Sequence, residues 1–156
     1  MGLAGCGGSD TSSATADGSN ATVVRVVDGD TIVAKVGGVE EKVRLIGINT
    51  PESVDPRRPV ECFGKEASHH TSELLPVGTP IRLVRDAEPR DKYGRLLAYI
   101  YRSSDSVFVN LSLAQDGYAQ QLTYPPNIAH VDEFTAAIRT ARQQKLGLWA
   151  SCPDAK

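Results

Sequence analysis

Three β-rich segments separated by glycine-containing turns constrain the fold of this chain most strongly. They are rich in β-branched residues and cover residues 22–27, 31–36 and 39–48. The two-residue connection Gly37-Gly38 between the second and third segments is typical of a β-hairpin. In the third segment Val43 and Leu45 alternate with charged residues, which predicts a strand with one buried face. The folded part of the chain is therefore expected to begin with a hairpin-connected sheet.

Helices are inserted into this strand-rich half and appended to it. The predicted elements after the third strand are a helix at 63–75, strands at 81–84 and 96–101, a short helix between Asn110 and Gly117, and a third helix that ends by Gly147. Asn110 is expected to be the N-cap of the short helix, because asparagine is among the preferred capping residues. Val131, Phe134, Ile138 and Ala141 fall at helical spacing and predict the buried stripe of the third helix. This order predicts an α+β fold built on a small curled sheet.

Residues 1–20 differ in composition from the rest of the chain. Gly, Ser, Ala, Thr and Asp dominate this segment, which predicts a disordered linker ahead of a folded domain at 21–153. Leu3-Ala4-Gly5-Cys6 resembles the lipobox of bacterial lipoproteins, in which the cysteine is lipidated. A chance match around a free cysteine is the other reading. We expect lipidation at Cys6, because a polar linker follows it as an anchored protein requires.

Two cysteines lie inside the predicted domain, Cys62 and Cys152. Their isolated positions fit no zinc-binding pattern. They are either a disulfide or two unrelated core residues. We expect the disulfide, which suits an exported protein and closes a loop long enough to stabilise the fold by about 4–5 kcal/mol.

The net charge excludes a strongly basic nucleic-acid-binding domain. The chain carries 17 basic and 19 acidic residues, for a formal charge of −2. Domains that bind nucleic acid through bulk electrostatics are usually basic. Any phosphate-binding site in this chain must therefore be local.

Residues that carry chemistry fall into three short clusters. These are Asp28-Gly29-Asp30-Thr31, Arg44 with Asn49-Thr50-Pro51-Glu52, and Asp91-Lys92-Tyr93-Gly94-Arg95. Taken singly, each is typical of a polar turn or a solvated strand. Together they supply oxygen ligands for a hard cation, a free carboxylate and two arginines. Guanidinium groups bind phosphoryl oxygens through paired N–H donors, and a carboxylate can accept a proton from water. The combination predicts attack on a phosphodiester.

The clusters, in this order, resemble the motifs of the staphylococcal nuclease family. Other matching segments are Gly64-Lys65-Glu66-Ala67, Tyr124-Pro125-Pro126-Asn127 and Lys145-Leu146-Gly147-Leu148-Trp149, so that the similarity covers about residues 23–149. The resemblance implies a five-stranded OB-fold β-barrel with three α-helices. It also implies a calcium-dependent endonuclease that cuts DNA and RNA and leaves 3′-phosphates.

Five positions match the catalytic and metal-binding residues of that family. Arg44 and Arg95 match its two phosphate-binding arginines. Glu52 matches the carboxylate assigned as the general base or as the group that positions the water. Asp30 matches a calcium ligand, and Thr50 matches a ligand that binds through its backbone carbonyl.

The nucleotide pocket and one metal ligand show both matches and departures. Lys92 and Tyr93 match residues that line the pocket, and Tyr124 matches an aromatic residue beside the base. Asn49 stands where the family has a second calcium-binding aspartate, so we expect weaker Ca²⁺ binding or tolerance of another divalent cation. Leu122 replaces an expected aromatic contact, whose stacking contributes about 1–3 kcal/mol per base.

Two rival classes remain beside the enzyme. One is a non-catalytic nucleic-acid-binding OB-fold module on the cell surface, and the other is a structural surface lipoprotein. Binding modules of this kind typically lack the catalytic positions, whereas this chain keeps Arg44, Glu52 and Arg95. We therefore expect a monomeric nuclease, extracellular or anchored on a bacterial surface. Its expected partners are single-stranded or locally melted DNA and RNA.

Overall fold

The computed structural model describes residues 18–155. The expected lipobox with Cys6, and residues 1–17 of the expected linker, lie outside the described residues. The elements are β1 Ala21–Asp28, β2 Thr31–Val36, β3 Val39–Leu45, β4 Gly47–Asn49, α1 Gly64–Leu74, β5 Pro80–Val84, β6 Leu96–Arg102, α2 Val109–Gln115, β7 Gln120–Leu122, α3 Val131–Gln143 and α4 Leu148–Ser151. None of the helices within 18–155 is long and apolar enough to cross a membrane.

Five strands close into a barrel in the order β1-β2-β3-β6-β5. Neighbouring strands are antiparallel except β3 and β6, which are parallel, with Arg44 opposite Leu97. The β2–β3 hairpin turns at Gly37 and Gly38, which both adopt positive φ angles of 57° and 83°, as the sequence predicts. Three longer helices and the single turn of α4 surround the barrel. The five-stranded OB-fold barrel and the α+β class are confirmed.

The barrel and the helices share one apolar core. The strands of the barrel contribute buried side chains, and α3 adds Phe134 and Ile138 from the predicted stripe. Ala141, the last buried residue of that stripe, is also fully buried. The helix itself ends at Gln143, before the predicted stop at Gly147, and Gly147 instead precedes α4.

The prediction of one continuous third strand over residues 39–48 is wrong. The structure ends β3 at Leu45 and pairs β4 with β7 in a separate antiparallel ladder. Gly47 lies at the break with a φ of 85°, and a Cβ on this residue would overlap the ring of Phe134. The chain therefore changes direction where a helix distant in sequence packs against its backbone.

The predicted N-cap at Asn110 is also wrong. Phe108 is the N-cap of α2, and Asn110 lies inside the helix with no solvent exposure. Its Oδ1 accepts a hydrogen bond from the Ile100 N–H (2.9 Å), and its Nδ2 donates to Ile46 O (2.9 Å) and Ala98 O (3.2 Å). The Asn110 side chain thus satisfies backbone groups of β6 and of Ile46, the residue between β3 and β4. It does not cap the terminus of the helix.

A disulfide joins Cys62, just before α1, to Cys152, just after α4. The predicted pairing is therefore confirmed. The bond connects two segments that are 90 residues apart in sequence.

Candidate active site

The turn between β1 and β2 holds Asp30 at the centre of the site. Asp30 is 7% exposed, and its Oδ2 accepts a hydrogen bond from the Thr50 N–H at 3.0 Å. The same oxygen lies 3.2 Å from Nη2 of Arg44, whereas Oδ1 accepts a hydrogen bond from the Thr31 hydroxyl. Two of the predicted site clusters therefore meet at one carboxylate.

Arg44 projects from the end of β3 into this polar group. Its Nη2 also donates to Oδ1 of Asn49 (3.1 Å), and its Nη1 donates to the carbonyl oxygens of Leu45 and Ile48. Burial lowers the pKa of Arg44, opposed by the charge of Asp30 and reinforced by the nearby positive charge of Arg95. Arg44 thus links the two predicted metal-ligand side chains and lies close to the second arginine.

Arg95 immediately precedes β6 and is oriented by Asp91. Its Nε donates to Asp91 Oδ2 at 2.7 Å, while Asp91 Oδ1 accepts the backbone N–H groups of Tyr93 and Arg95, both at 3.0 Å. Partial burial disfavours ionisation of Asp91, but the hydrogen bonds from Arg95 outweigh it and lower the pKa of this carboxyl. Asp91 contacts Nε and the backbone N–H of Arg95, so this ion pair does not use the terminal nitrogens of the guanidinium.

One cavity of about 470 Å³ joins the predicted phosphate and nucleotide residues. Its walls include Arg44 and Arg95 together with all three predicted substrate residues, Lys92, Tyr93 and Tyr124. The tyrosine rings are largely exposed, at 72% for Tyr93 and 71% for Tyr124, so both can receive a ligand. The structure thus brings two guanidinium groups, an ammonium group and two aromatic rings to one concave surface.

The side of the cavity that carries Tyr124 is held to the β5–β6 connection by Asn127. The Glu88 N–H donates to Asn127 Oδ1 at 2.7 Å, and Asn127 Nδ2 donates to Glu88 O at 3.1 Å. Leu122 also lines the cavity, as does Leu97. The cavity wall is therefore apolar at the position where the family resemblance predicts an aromatic ring. The aromatic rings in this cavity lining are therefore those of Tyr93 and Tyr124.

Glu52 lies at the start of the loop 52–62, outside the lining of that cavity. Its Oε1 accepts hydrogen bonds from the N–H groups of Val54 (2.8 Å) and Asp55 (3.0 Å). Partial burial tends to raise the pKa of Glu52, but these backbone hydrogen bonds help to lower it overall. Glu52 therefore carries a negative charge at neutral pH, as a proton acceptor requires.

Asp28 connects Glu52 to the rest of the site. It is 5% exposed, and its Oδ1 accepts hydrogen bonds from the Ser53 hydroxyl (2.6 Å) and the Gly29 N–H (2.9 Å). Burial raises the pKa of Asp28 to about 6, although both of these hydrogen bonds oppose the rise, and a hydrogen bond with the Glu52 side chain adds to it. Asp28 thus links Glu52 and Ser53 to the end of β1.

The predicted metal ligands fit a hard cation in their chemistry. Asp30, Asn49 and Thr50 offer only oxygen atoms, which Ca²⁺ prefers, and Asp30 and Asn49 both lie within 3.2 Å of Arg44 Nη2. The Thr50 hydroxyl is buried and lacks a hydrogen-bond partner in the described chain. Over residues 18–155, no three Asp, Glu, His or Cys side chains form a metal-binding group. Cation binding here would therefore depend on the amide of Asn49 and the carbonyl of Thr50.

The histidines lie apart from this site. His70 contacts Asp116 at 3.0 Å and stacks on the Tyr118 ring, with 4.0 Å between ring centroids. His130 contacts Glu133 within the first turn of α3, at 2.7 Å. Both therefore have structural partners on the helical side of the molecule.

The model of the family described as staphylococcal nuclease homologue matches residues 42–151 of this chain. The match contains all the helices and most of the candidate site. The chain belongs to the staphylococcal nuclease family. It is also similar to the thermonuclease of Staphylococcus intermedius, with 43% identity over 138 residues that cover 88% of this chain and 80% of that protein.

The chain is also similar to two further proteins. The thermonuclease of Staphylococcus hyicus is 37% identical over 129 residues, covering 83% of this chain and 75% of that protein. Endonuclease YncB of Bacillus subtilis (strain 168) is 36% identical over 132 residues, covering 84% of this chain and 62% of that protein.

Three residues of this staphylococcal nuclease homologue had no predicted role in the site, although Asp28 and Asp91 belong to the predicted clusters. Asp28 and Asp91 orient groups of the site, and Glu61 hydrogen-bonds to the backbone of Glu52. The spacing of Asp91 and Arg95, four residues apart across a turn, was a usable signal for the contact between them. No comparable local signal marks Glu61, because its partner lies across the loop 52–62.

Proposed function

We propose that this protein is a calcium-dependent endonuclease that hydrolyses phosphodiester bonds of DNA and RNA and leaves 3′-phosphates. The observation that carries the proposal is the shared cavity in which Arg44 and Arg95 face Lys92, Tyr93 and Tyr124. Membership of the staphylococcal nuclease family and relatives named thermonuclease and endonuclease support the same reaction class.

Each described residue has a task in this reaction. Arg95 donates N–H groups to the non-bridging phosphoryl oxygens, where negative charge grows in the transition state. Arg44 adds its positive charge beside them, while its terminal nitrogens stay bonded to Asp30, Asn49 and backbone carbonyls. Tyr93, Lys92 and Tyr124 hold the adjoining nucleotide in the cavity. Planar donors fixed by neighbouring carboxylates need little reorganisation when the charge develops, which is why they accelerate the chemical step.

Glu52 accepts a proton from the attacking water. The water oxygen bonds to phosphorus, the bond from phosphorus to the 5′-oxygen breaks, and the 5′-oxygen takes up a proton from solvent. The products are a 3′-phosphate and a 5′-hydroxyl, and Glu52 returns its proton to solvent. The lowered pKa of Glu52 keeps it in the ionised form that this transfer requires. A Ca²⁺ ion held by Asp30, Asn49 and Thr50 would supply Lewis-acid stabilisation of the phosphoryl oxygens.

Metal dependence gives the direct test of this proposal. Purified protein is incubated with single-stranded DNA and with RNA, in Ca²⁺ or in excess chelator, and the product ends are identified by their sensitivity to a 3′-phosphatase. We expect cleavage in Ca²⁺, no cleavage in chelator, and recovery when Ca²⁺ is restored. Cleavage that persists in chelator, or products with 5′-phosphates, would falsify the proposed mechanism.

A non-catalytic binding module is the second candidate, favoured by the open cavity and its exposed tyrosines. The incubation with DNA and RNA described above distinguishes the two candidates. Binding of labelled DNA without any shortening of the strand would support the module. The retained Arg44, Glu52 and Arg95 favour the enzyme, because binding alone does not require a carboxylate beside a phosphate.

The Asn49→Asp variant should bind Ca²⁺ about tenfold more tightly, equivalent to about 1.4 kcal/mol. The variant restores one formal charge among the oxygen ligands, and ligand charge strengthens calcium binding. Isothermal titration calorimetry measures the change. Gln143→Glu, which adds the same charge at an exposed position on α3, is the matched control. Equal affinities in the parent and Asn49→Asp would contradict the charge argument.

We also propose that the protein acts outside the cytoplasm as a monomer, with a lipid anchor at Cys6. The disulfide between Cys62 and Cys152 supports an oxidising location, where such bonds persist. Recovery of the native protein only from the soluble cytoplasmic fraction would contradict this location.

A further inference from the structure

The loop 52–62 is closed at its base by a reciprocal pair of contacts between Glu52 and Glu61. The Glu61 N–H donates to Glu52 O at 2.9 Å, and the Glu52 N–H donates to Glu61 Oε2 at 2.9 Å. Gly64 at the start of α1 packs against the same peptide, because a Cβ there would overlap Glu52 O. The backbone position of Glu52 therefore depends on the position of Glu61.

The direction of the Glu52 carboxylate depends on the same loop. Oε1 accepts N–H groups from Val54 and Asp55, which lie inside the loop rather than in the barrel. Any change in the loop conformation would rotate or release this carboxylate. A proton acceptor must lie within hydrogen-bond reach of its water, so such a movement would impair the chemical step.

The other contacts across the loop are exposed ion pairs. Arg58, whose side chain is 56% exposed, lies 3.6 Å from Glu52, 3.7 Å from Asp55 and 3.9 Å from Glu61. Exposed pairs of this kind contribute little to the stability of a conformation. Ser53 anchors the first half of the loop through its bond to Asp28. The second half is held at its C-terminal end by the bonds of Glu61 to Glu52, by the bond from the Gly64 N–H to Glu61 O, and by the covalent link at Cys62.

Cys62 provides this link directly after Glu61, and its disulfide partner lies on a fixed part of the molecule. Cys152 follows α4, whose Leu148 is 1% exposed and whose Leu148 N–H donates to Gly117 O at 2.8 Å. A Cβ on Gly117 would overlap the backbone at Leu146, so the two segments are in direct backbone contact. The disulfide thus connects the base of the loop to the helical core.

We propose that Glu61 and the Cys62–Cys152 disulfide are positioning elements for Glu52 in the chemical step, an inference that rests on the proposed nuclease function. The cavity that holds the nucleotide is lined by residues outside the loop 52–62, among them Arg95 and Tyr124. Loss of the disulfide therefore impairs kcat and leaves KM nearly unchanged. A dithiol that reduces the disulfide, with two hydrogens transferred to the cysteines and the dithiol oxidised to a cyclic disulfide, has the same effect.

The Cys62→Ser/Cys152→Ser double variant tests this role by steady-state kinetics on single-stranded DNA. We expect kcat to fall about 10-fold to 100-fold, as for a misplaced catalytic group, with KM changed less than about twofold. Glu61→Ala should lower kcat in the same way, whereas Glu61→Gln keeps an acceptor for the Glu52 N–H and should restore most of it. Ile138→Ala, a core variant on α3, is the control for reduced stability and should retain kcat below its unfolding temperature.

Hydrogen exchange provides a readout that does not require activity. In the double variant, the amides of Val54 and Asp55 should exchange faster, while those of β2 and β3 remain unchanged. Unchanged kcat, unchanged exchange at these two amides, or a raised KM with constant kcat would overturn the positioning role. Absence of cleavage by the parent protein would overturn the proposed function, and the exchange comparison would still decide whether the disulfide positions Glu52.

Discussion

The Arg95→Ala variant is expected to lose about 10²–10³-fold in kcat, the usual cost of removing one preorganised donor to a developing charge. Asp91 fixes Nε of Arg95 at 2.7 Å, which orients the remaining donors towards the cavity that it shares with Arg44. Arg44 is bonded to Asp30, Asn49 and two carbonyl groups, so it cannot replace the missing donors without breaking those contacts. Initial rates over a range of DNA concentrations separate kcat from KM.

Two further variants make the Arg95 prediction specific. Arg95→Lys keeps the charge but loses the planar pair of donors, so it should recover only a small part of the activity. Arg142→Ala removes an arginine that stacks over Trp149 at 5.1 Å, away from the cavity, and should retain the parental rate. A parental kcat in Arg95→Ala, or equal losses in Arg95→Ala and Arg142→Ala, would remove Arg95 from the catalytic machinery.

The Asn110→Ala variant is expected to lower the free energy of unfolding by about 3–5 kcal/mol. Its side-chain amide satisfies three backbone groups, and each buried group left without a partner costs about 1–3 kcal/mol. Of the three, the Ile100 N–H and the Ile46 carbonyl oxygen lose their bond to Asn110, whereas Ala98 O keeps a second bond from the Ile46 N–H at 3.2 Å. Urea unfolding at equilibrium, followed by circular dichroism, measures the loss.

Asn20→Ala is the matched control for the Asn110 variant. Asn20 makes a comparable pair of contacts with the backbone of Leu83, as acceptor at 2.8 Å and donor at 3.0 Å, but it is exposed. Water can replace its contacts, so we expect a loss below about 1.5 kcal/mol. If the two variants lose similar stability, burial is not the reason that Asn110 matters.

The barrel strands were predictable because their pattern is local. Alternation along β3, β-branched residues in β1 and β2, and the glycine pair at the hairpin all act within a few residues of each other. The break after Leu45 was not predictable in this way. It depends on Phe134, a residue distant in sequence whose ring packs against Gly47 in the folded chain. Asn110 was misread for the same reason, since its partners lie on distant strands.

The candidate site was predictable as a set of residues but not as a set of contacts. Ordered motifs identified Asp30, Arg44 and Arg95, and the structure pairs Asp30 with Arg44 and places Arg44 and Arg95 in the wall of one cavity. The sequence did not show that Arg44 bonds to the predicted metal ligands. Nor did it show that Glu52 is held by its own loop, because both facts depend on side-chain directions that only the folded chain defines.

The parallel pairing of β3 with β6 bears on how this protein could be altered by design. Arg44 lies opposite Leu97, and Arg95 immediately precedes the same strand, so the two arginines start from hydrogen-bonded neighbours in the barrel wall. Adjacent strands are about 4.8 Å apart, a spacing that loop substitutions do not change. We therefore expect that substitutions at Leu122 and Tyr124 would reshape the wall of the cavity, while the barrel keeps the backbones of the two arginines in place.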